Sequence, residues 1–167
     1  MHCESFAPLI AARPVLLILG SMPGVASLRA AQYYAHPRNA FWPILFDYFT
    51  EPHSTDYEAR CGLILHHSLA LWDAANSCER SGSLDSDIQA VVPNDIDQLL
   101  AAHPSISGIL CNGQKAYQLL RRYGMGEGVP AFVLPSTSPA HASRSYEAKR
   151  NMWHTALRRW IAPEPVI

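Results

Sequence analysis

The five residues "VLLIL" (15–19) constrain the fold more than any other stretch of the chain. They form an unbroken apolar run closed by Gly20, with no polar position to mark a solvent face. A strand of this kind is buried on both sides, as in the interior of a parallel sheet covered by helices. Three further short runs follow the same pattern: "SLALWD" (68–73), "ISGILC" (106–111) and "PAFVLP" (130–135). Amphipathic stretches lie between them and predict helices. Asn39 is placed to cap one through "AFWPILFDYF" (40–49), with Pro43 near its first turn. Others are "YEARCGLILHH" (57–67), "NDIDQLLAAH" (94–103) with Asn94 as its cap, and "GQKAYQLLRRYG" (113–124) closed by Gly124. A last helix from about Ser145 carries Trp153, Ala156, Leu157, Trp160 and Ile161 at helical spacing. Strand and helix alternation of this kind defines the α/β class, with a mostly parallel sheet and helices on both faces.

At 167 residues and 49% hydrophobic content the chain suits one domain over 1–167 with one well-buried core. Charged residues make up 16%, too few for long solvated tails. A formal net charge of −1 argues against a basic scaffold that coats nucleic acid by charge alone, and leaves open a local DNA-binding patch. Cys3, Cys61, Cys78 and Cys111 are far apart and form no C-x-x-C pair, so no zinc or iron–sulfur site and no cofactor is expected. The opening stretch has no secretory pattern, and no segment has the length of a membrane span. A cytoplasmic protein follows as the expectation.

In such sheets ligands bind outside the carboxyl ends of the strands. The unusual residues fall there: "GSMPG" (20–24), "WDAANS" (72–77), "CNGQKA" (111–116) and "LPSTSPAHA" (134–142). Each also has a plainer explanation. "GSMPG" is either a tight turn or a loop whose backbone N–H groups face a ligand; neither a dinucleotide nor a nucleoside-triphosphate glycine pattern is present. In "AQYYAHPRNAFWPI" (31–44), Phe41 and Trp42 suit a buried cluster, whereas Tyr33 and Tyr34 in the loop suit stacking on a planar ligand. Asn39 serves either as a helix cap or as an amide for a water or a base edge. "CNGQKA" reads equally as a strand end and helix start, or as a ligand loop offering Asn112. Hydroxyls in "LPSTSPAHA" suit a capped turn or a phosphate backbone. His66 and His67 suggest no ligand set, and Arg121 and Arg122 suit a solvated helix face.

Taken in order, "GSMPG", "YAHPRNAFW", "LWDAANSCERSGSLDSDI", "CNGQKA" and "LPSTSPAHA" resemble the uracil-DNA glycosylase superfamily, and within it the hypoxanthine-DNA (deoxyinosine) glycosylase group. The mismatch-specific uracil and thymine glycosylases are similar too. The resemblance implies a three-layer α/β/α fold with a central four-stranded parallel sheet. It implies base flipping in DNA containing deaminated bases, hydrolysis of the N-glycosidic bond, and action as a monomer. It points to Asn39 and Asn112 as catalytic amides. Ser21, Met22, Tyr34 and Asp73 are implied to surround the base, and Ser136, Thr137, Ser138 and His141 to grip DNA. Met22 departs from the superfamily pattern, because many members have aspartate or asparagine there to position water and a thioether can do neither. Three readings stay open: a deoxyinosine glycosylase, a uracil or mismatch-specific glycosylase, and a damaged-DNA binding module that does not cut.

Overall fold

A computed structural model describes residues 1–163, so the last four residues of the expected 1–167 domain lie outside the described residues. In chain order the elements are β1 (His2–Glu4), β2 (Leu9–Ile10), β3 (Leu16–Gly20), α1 (Val25–Ala30), α2 (Phe41–Tyr48), α3 (Tyr57–His66), β4 (Leu69–Asp73) and β5 (Ala75–Glu79). They continue with β6 (Gln89–Pro93), α4 (Ile96–Ala102), β7 (Ile109–Asn112), α5 (Gln114–Arg122), β8 (Ala131–Leu134) and α6 (Tyr146–Leu157).

The four apolar runs become the four parallel strands of one sheet, in the order β4-β3-β7-β8. A fifth strand, the two-residue β2, extends that sheet by pairing antiparallel to β4, so the sheet has one strand more than expected. Alternation along β3 builds the layers. Leu16 and Ile18 face a core made with α2, α3 and α6, including Phe41, Trp42, Leu63 and Trp153. Leu17 and Leu19 face the opposite core, made with Ile96 and Leu99 of α4 and Leu119 and Leu120 of α5. Both faces of β3 are therefore dry, which is why its sequence shows no period of two.

Several details differ from the sequence reading. The third strand begins at Ile109 rather than Ile106, because Ile106 donates its N–H to the turn carbonyl of His103. Trp160 and Ile161 lie beyond the end of α6 and pack there as part of the chain's return over the core. Helix α1 and the three-stranded antiparallel sheet β1-β5-β6 were not legible as elements. Tyr33 is a largely buried core residue: its hydroxyl donates to the Ala7 carbonyl and its N–H to the Tyr57 hydroxyl, although it also borders the cavity over the strand ends.

Two proposed caps also move by one residue. Helix α2 starts after Ala40, and Asn39 Oδ1 accepts from the Phe41 N–H at 3.0 Å from one position further out. Helix α4 is capped by Asp95, whose carboxylate accepts from the Gln98 N–H at 3.0 Å. Asn94 has a different task. Its buried Nδ2 donates to the carbonyls of Asp73 (2.8 Å) and Ala75 (3.2 Å), and its Oδ1 accepts from Asn76 Nδ2. It thus joins the end of β4 in the main sheet to β5 in the smaller one. Replacing Asn94 by Ala strands these buried carbonyls, and urea denaturation is expected to show a loss of about 2 kcal/mol; an unchanged midpoint would mean that the two sheets are joined by other contacts.

Candidate active site

Over the carboxyl ends of the parallel strands lies a cavity of about 300 Å³, a size typical of small-molecule sites. Every residue that the sequence put forward lines it: Ser21, Met22, Tyr34, Asn39, Asp73, Asn112, Ser136, Thr137, Ser138 and His141. Strand register explains the meeting, because Gly20 pairs with Asp73 and Asn112 with Leu134 at the level where the sheet ends.

Gly20 has no side chain because its neighbours occupy that space. A Cβ there would collide with Asp73 Oδ1 and sit 2.8 Å from the Tyr34 hydroxyl. Tyr34 itself has a left-handed backbone (φ 52°), uncommon for a bulky residue, and its ring rests on Phe41 with centroids 4.1 Å apart. Its hydroxyl is buried and meets no partner at hydrogen-bond geometry among the described residues. Burial, then the charge of Asp73, push that hydroxyl well above the usual phenol range, and the nearby Asn112 amide opposes them.

Asp73 is 3% exposed, and its Oδ2 also lacks a partner among the described residues. Burial pushes its carboxyl up to about 7; Arg80 opposes the rise and Asp85 adds to it. At neutral pH it therefore exists partly as the acid, able to donate one hydrogen bond and accept another. The third buried polar atom without a partner among the described residues is Arg80 Nε, on another lining residue. Orphans confined to one cavity point to a site completed by a polar ligand.

The two asparagines differ in commitment. Asn112 makes a buried pair of bonds with Thr137: its Nδ2 donates to Oγ1 and its Oδ1 accepts from the backbone N–H, both at 2.9 Å. Asn39 gives one lone pair of Oδ1 to helix α2, and its Nδ2 makes no hydrogen bond among the described residues. It retains two donors and one acceptor site for whatever enters the cavity.

Thr137 is buried, its polar atoms spent on Asn112 and on the Ala40 N–H, so it shapes the loop from within. Ser136 and Ser138 accept from the N–H groups of Ser138 and Ala140 and curl the same loop, leaving His141 exposed. Met22 is buried in the cavity wall. Ser21 already donates its hydroxyl to Asp85 at 2.8 Å. Gly113, with φ 92°, lets the chain turn from β7 into α5 against Ser136.

Sequence reasoning overlooked Arg80, Ser83, Leu84 and Asp85 as cavity residues, and His36 beside them. The signal was an arginine and three acidic residues spaced by glycine and serine in "ERSGSLDSD" (79–87). It also overlooked Lys149, which is 6% exposed and donates from Nζ to the His141 carbonyl at 2.7 Å, holding the far end of the loop. Among the described residues no cluster of three or more histidine, cysteine or acidic side chains is placed to hold a metal ion. Likewise no helix among them is long and apolar enough to cross a membrane.

A mostly parallel sheet covered by helices, with a cleft over its strand ends that bears two amides and a buried acid, places the molecule among α/β proteins that carry their site at the carboxyl ends of the strands. Within that class the chain belongs to the Uracil DNA glycosylase superfamily, whose family model matches residues 7–161. It is 32% identical over 162 residues to a hypoxanthine DNA glycosylase of Methanosarcina barkeri, covering 95% of this chain and 100% of the relative. A hypoxanthine DNA glycosylase of Methanosarcina acetivorans is 35% identical over 146 residues, covering 86% of this chain and 90% of the relative. A solution NMR structure of a candidate uracil DNA glycosylase from Methanosarcina acetivorans superposes with a TM-score of 0.77 at 32% identity, covering 95% of this chain and 98% of that one.

Asp73 makes the stability of the protein depend on pH in a definite direction. Its folded-state value of about 7 lies above that of an unfolded carboxyl, so the folded chain holds an extra proton between about pH 4 and 7. Stability therefore falls as pH rises through that window, by an upper limit of roughly 4 kcal/mol. Asp73→Asn is expected to flatten this stretch of the profile and to be more stable than the parent at pH 8. Urea titrations at pH 5 and pH 8 measure it, and parallel profiles for the two proteins would show that Asp73 is not the group responsible.

Proposed function

We propose that the protein is a monofunctional DNA glycosylase whose main substrate is hypoxanthine in deoxyinosine. What supports this most is the convergence of Asn39, Asn112, Asp73 and Tyr34 on one cavity, in a chain that shares 32% and 35% identity with two hypoxanthine DNA glycosylases. The damaged nucleotide leaves the duplex, a step least costly for a mispaired base, and its base enters the cavity beside Tyr34. The N-glycosidic bond breaks through an oxocarbenium-like sugar, as in glycoside hydrolysis. Water supplies a hydroxyl to the sugar carbon and a proton to the departing base, leaving an abasic site and the free base.

Since Met22 cannot orient water, that task passes to the amides. Asn39, with donors and an acceptor free, holds the attacking water. Asn112, fixed by Thr137, directs its remaining donor to the base. Fixed donors of this sort stabilise developing charge without first having to reorganise. Asp73 in its acid form donates to the base or accepts from a purine N–H, and Tyr34 stacks on it. Ser136, Ser138 and His141 present the loop to the DNA backbone, with Ser21 and Met22 forming the near wall. The protein works as a monomer, in one domain, in the cytoplasm, and without a cofactor. A uracil-directed activity is the second reading, favoured by the name of the family and of the superposing structure.

The test is release of free base from oligonucleotides carrying one hypoxanthine or one uracil, single-stranded and opposite each natural base, in EDTA. Hypoxanthine release is expected to dominate, and Asn39→Ala to lower it by roughly 100-fold or more with the fold retained. Uracil release alone moves the protein to the second reading. Binding without release of either base makes it a damaged-DNA binding module, and a fully active Asn39→Ala removes that residue from the mechanism.

A further inference from the structure

Strand β1 turns a single side chain inward. His2 and Glu4 are exposed, whereas Cys3 between them is 4% exposed and packs in the core that holds Leu17 and Leu19. Directly opposite it in the antiparallel β1–β5 pair stands Cys78, which is 1% exposed and lies in the same core. Two residues away on either side, the Ser5 N–H donates to the Asn76 carbonyl at 2.8 Å and the Arg80 N–H to the Met1 carbonyl at 3.0 Å. Cys3 and Cys78 are therefore a hydrogen-bonded pair, a register that holds the Cα atoms about 5.5 Å apart with both side chains on one face. Disulfides span Cα separations of roughly 4.4–6.8 Å, so the backbone already suits a bridge. Both residues are free thiols here. The other cysteines have no such arrangement, since Cys111 stands opposite Leu19 and Val133 and Cys61 lies on helix α3.

We propose that Cys3 and Cys78 are an oxidative modification site, at which a peroxide joins the two thiols in a reversible disulfide that staples β1 to β5. In the closed sheet both sulfurs are covered, and burial holds the Cys78 thiol above its usual range. Strand β1 is an edge strand of three residues with β5 as its one sheet neighbour among the described residues, so it is the part of this sheet that lifts at least cost. Lifting exposes Cys3. Its thiolate attacks one peroxide oxygen, the O–O bond breaks, and the departing hydroxide takes the thiol proton as water, leaving a sulfenic acid. When β1 pairs again, the Cys78 sulfur attacks the Cys3 sulfur; the S–S bond forms, the S–O bond breaks, and a second water carries off the Cys78 proton. The two thiols have then lost two electrons and the peroxide has gained them. The staple lies two residues before Arg80, whose guanidinium donates to the Pro23 and Ser83 carbonyls, both at 2.8 Å, so it reinforces the strand that carries this tie and uses no side chain of the cavity. The site is independent of the glycosylase reading above.

The test treats the wild-type protein with equimolar hydrogen peroxide in the absence of denaturant and maps its non-reduced peptides by mass spectrometry. The expected product links Cys3 to Cys78 within one molecule, leaves Cys61 and Cys111 as thiols, and is opened again by dithiothreitol. Because the bond closes a long loop of the unfolded chain, the urea midpoint of the oxidised protein is expected about 1 M above that of the reduced protein. Peroxide is expected to give no such rise in Cys3→Ala. Cys3 and Cys78 left unlinked, taken on to sulfinic or sulfonic acids, or joined instead to Cys61, Cys111 or a second molecule overturn the site. A linked pair with an unmoved midpoint overturns the staple.

Discussion

The paired hydrogen bonds between Asn112 and Thr137 are the contact on which the rest of the cleft depends. They fasten the end of β7 to the loop that follows β8, in a setting sealed from water where a broken partner leaves a costly orphan. From Thr137 the connection continues, since its carbonyl takes the Ala40 N–H and so fixes the entry to α2 and with it Asn39. Lys149 anchors the other end of the same loop through the His141 carbonyl. Three strand-end segments are thereby positioned by one amide and one threonine. Asn112 meets the two requirements of a preorganised group, because what orients it is also what leaves half of its hydrogen-bonding capacity unused.

Around this frame the cavity is built against its own stability. Asp73, Tyr34 and Arg80 each bury a polar atom that the described protein does not satisfy. Gly20 gives up its side chain to let two of them approach. Such a cluster is held in place by the well-packed cores on both faces of the sheet, where Trp42, Trp153, Leu17 and Leu19 are buried. Stability spent in this way at a site is the usual cost of having it ready for a ligand.

The four parallel strands were legible because burial on both faces leaves an apolar run with no period, and "VLLIL" is an extreme case. The smaller sheet was not, since "ANSCE" of β5 and "QAVVP" of β6 follow neither a strand nor a helix period and are held largely by backbone pairing and by Asn94. Tyr33 and Tyr34 show where local reading stops. They are adjacent and chemically identical, and only the Ala7 carbonyl on one side and the space over Gly20 on the other decide which ring joins the core. The strand-end loops could be located from the order of elements alone. The loop carrying Arg80 and Leu84 could not, because it reaches the cavity by folding back over Ser21 and Pro23 from outside the parallel sheet.

The strand order β4-β3-β7-β8 also has a temporal meaning. No two of Tyr34, Asp73, Asn112 and Thr137 come from the same strand-to-strand crossing, and the loop holding Thr137 is tied down by a lysine of the final helix. Contacts this far apart in the chain form late, after the entropy of closing large loops has been met. A chain still emerging from the ribosome has its first strands and Asn39 long before it has the partners that orient them. The cleft is therefore complete only once β8, the loop after it and the final helix are in place.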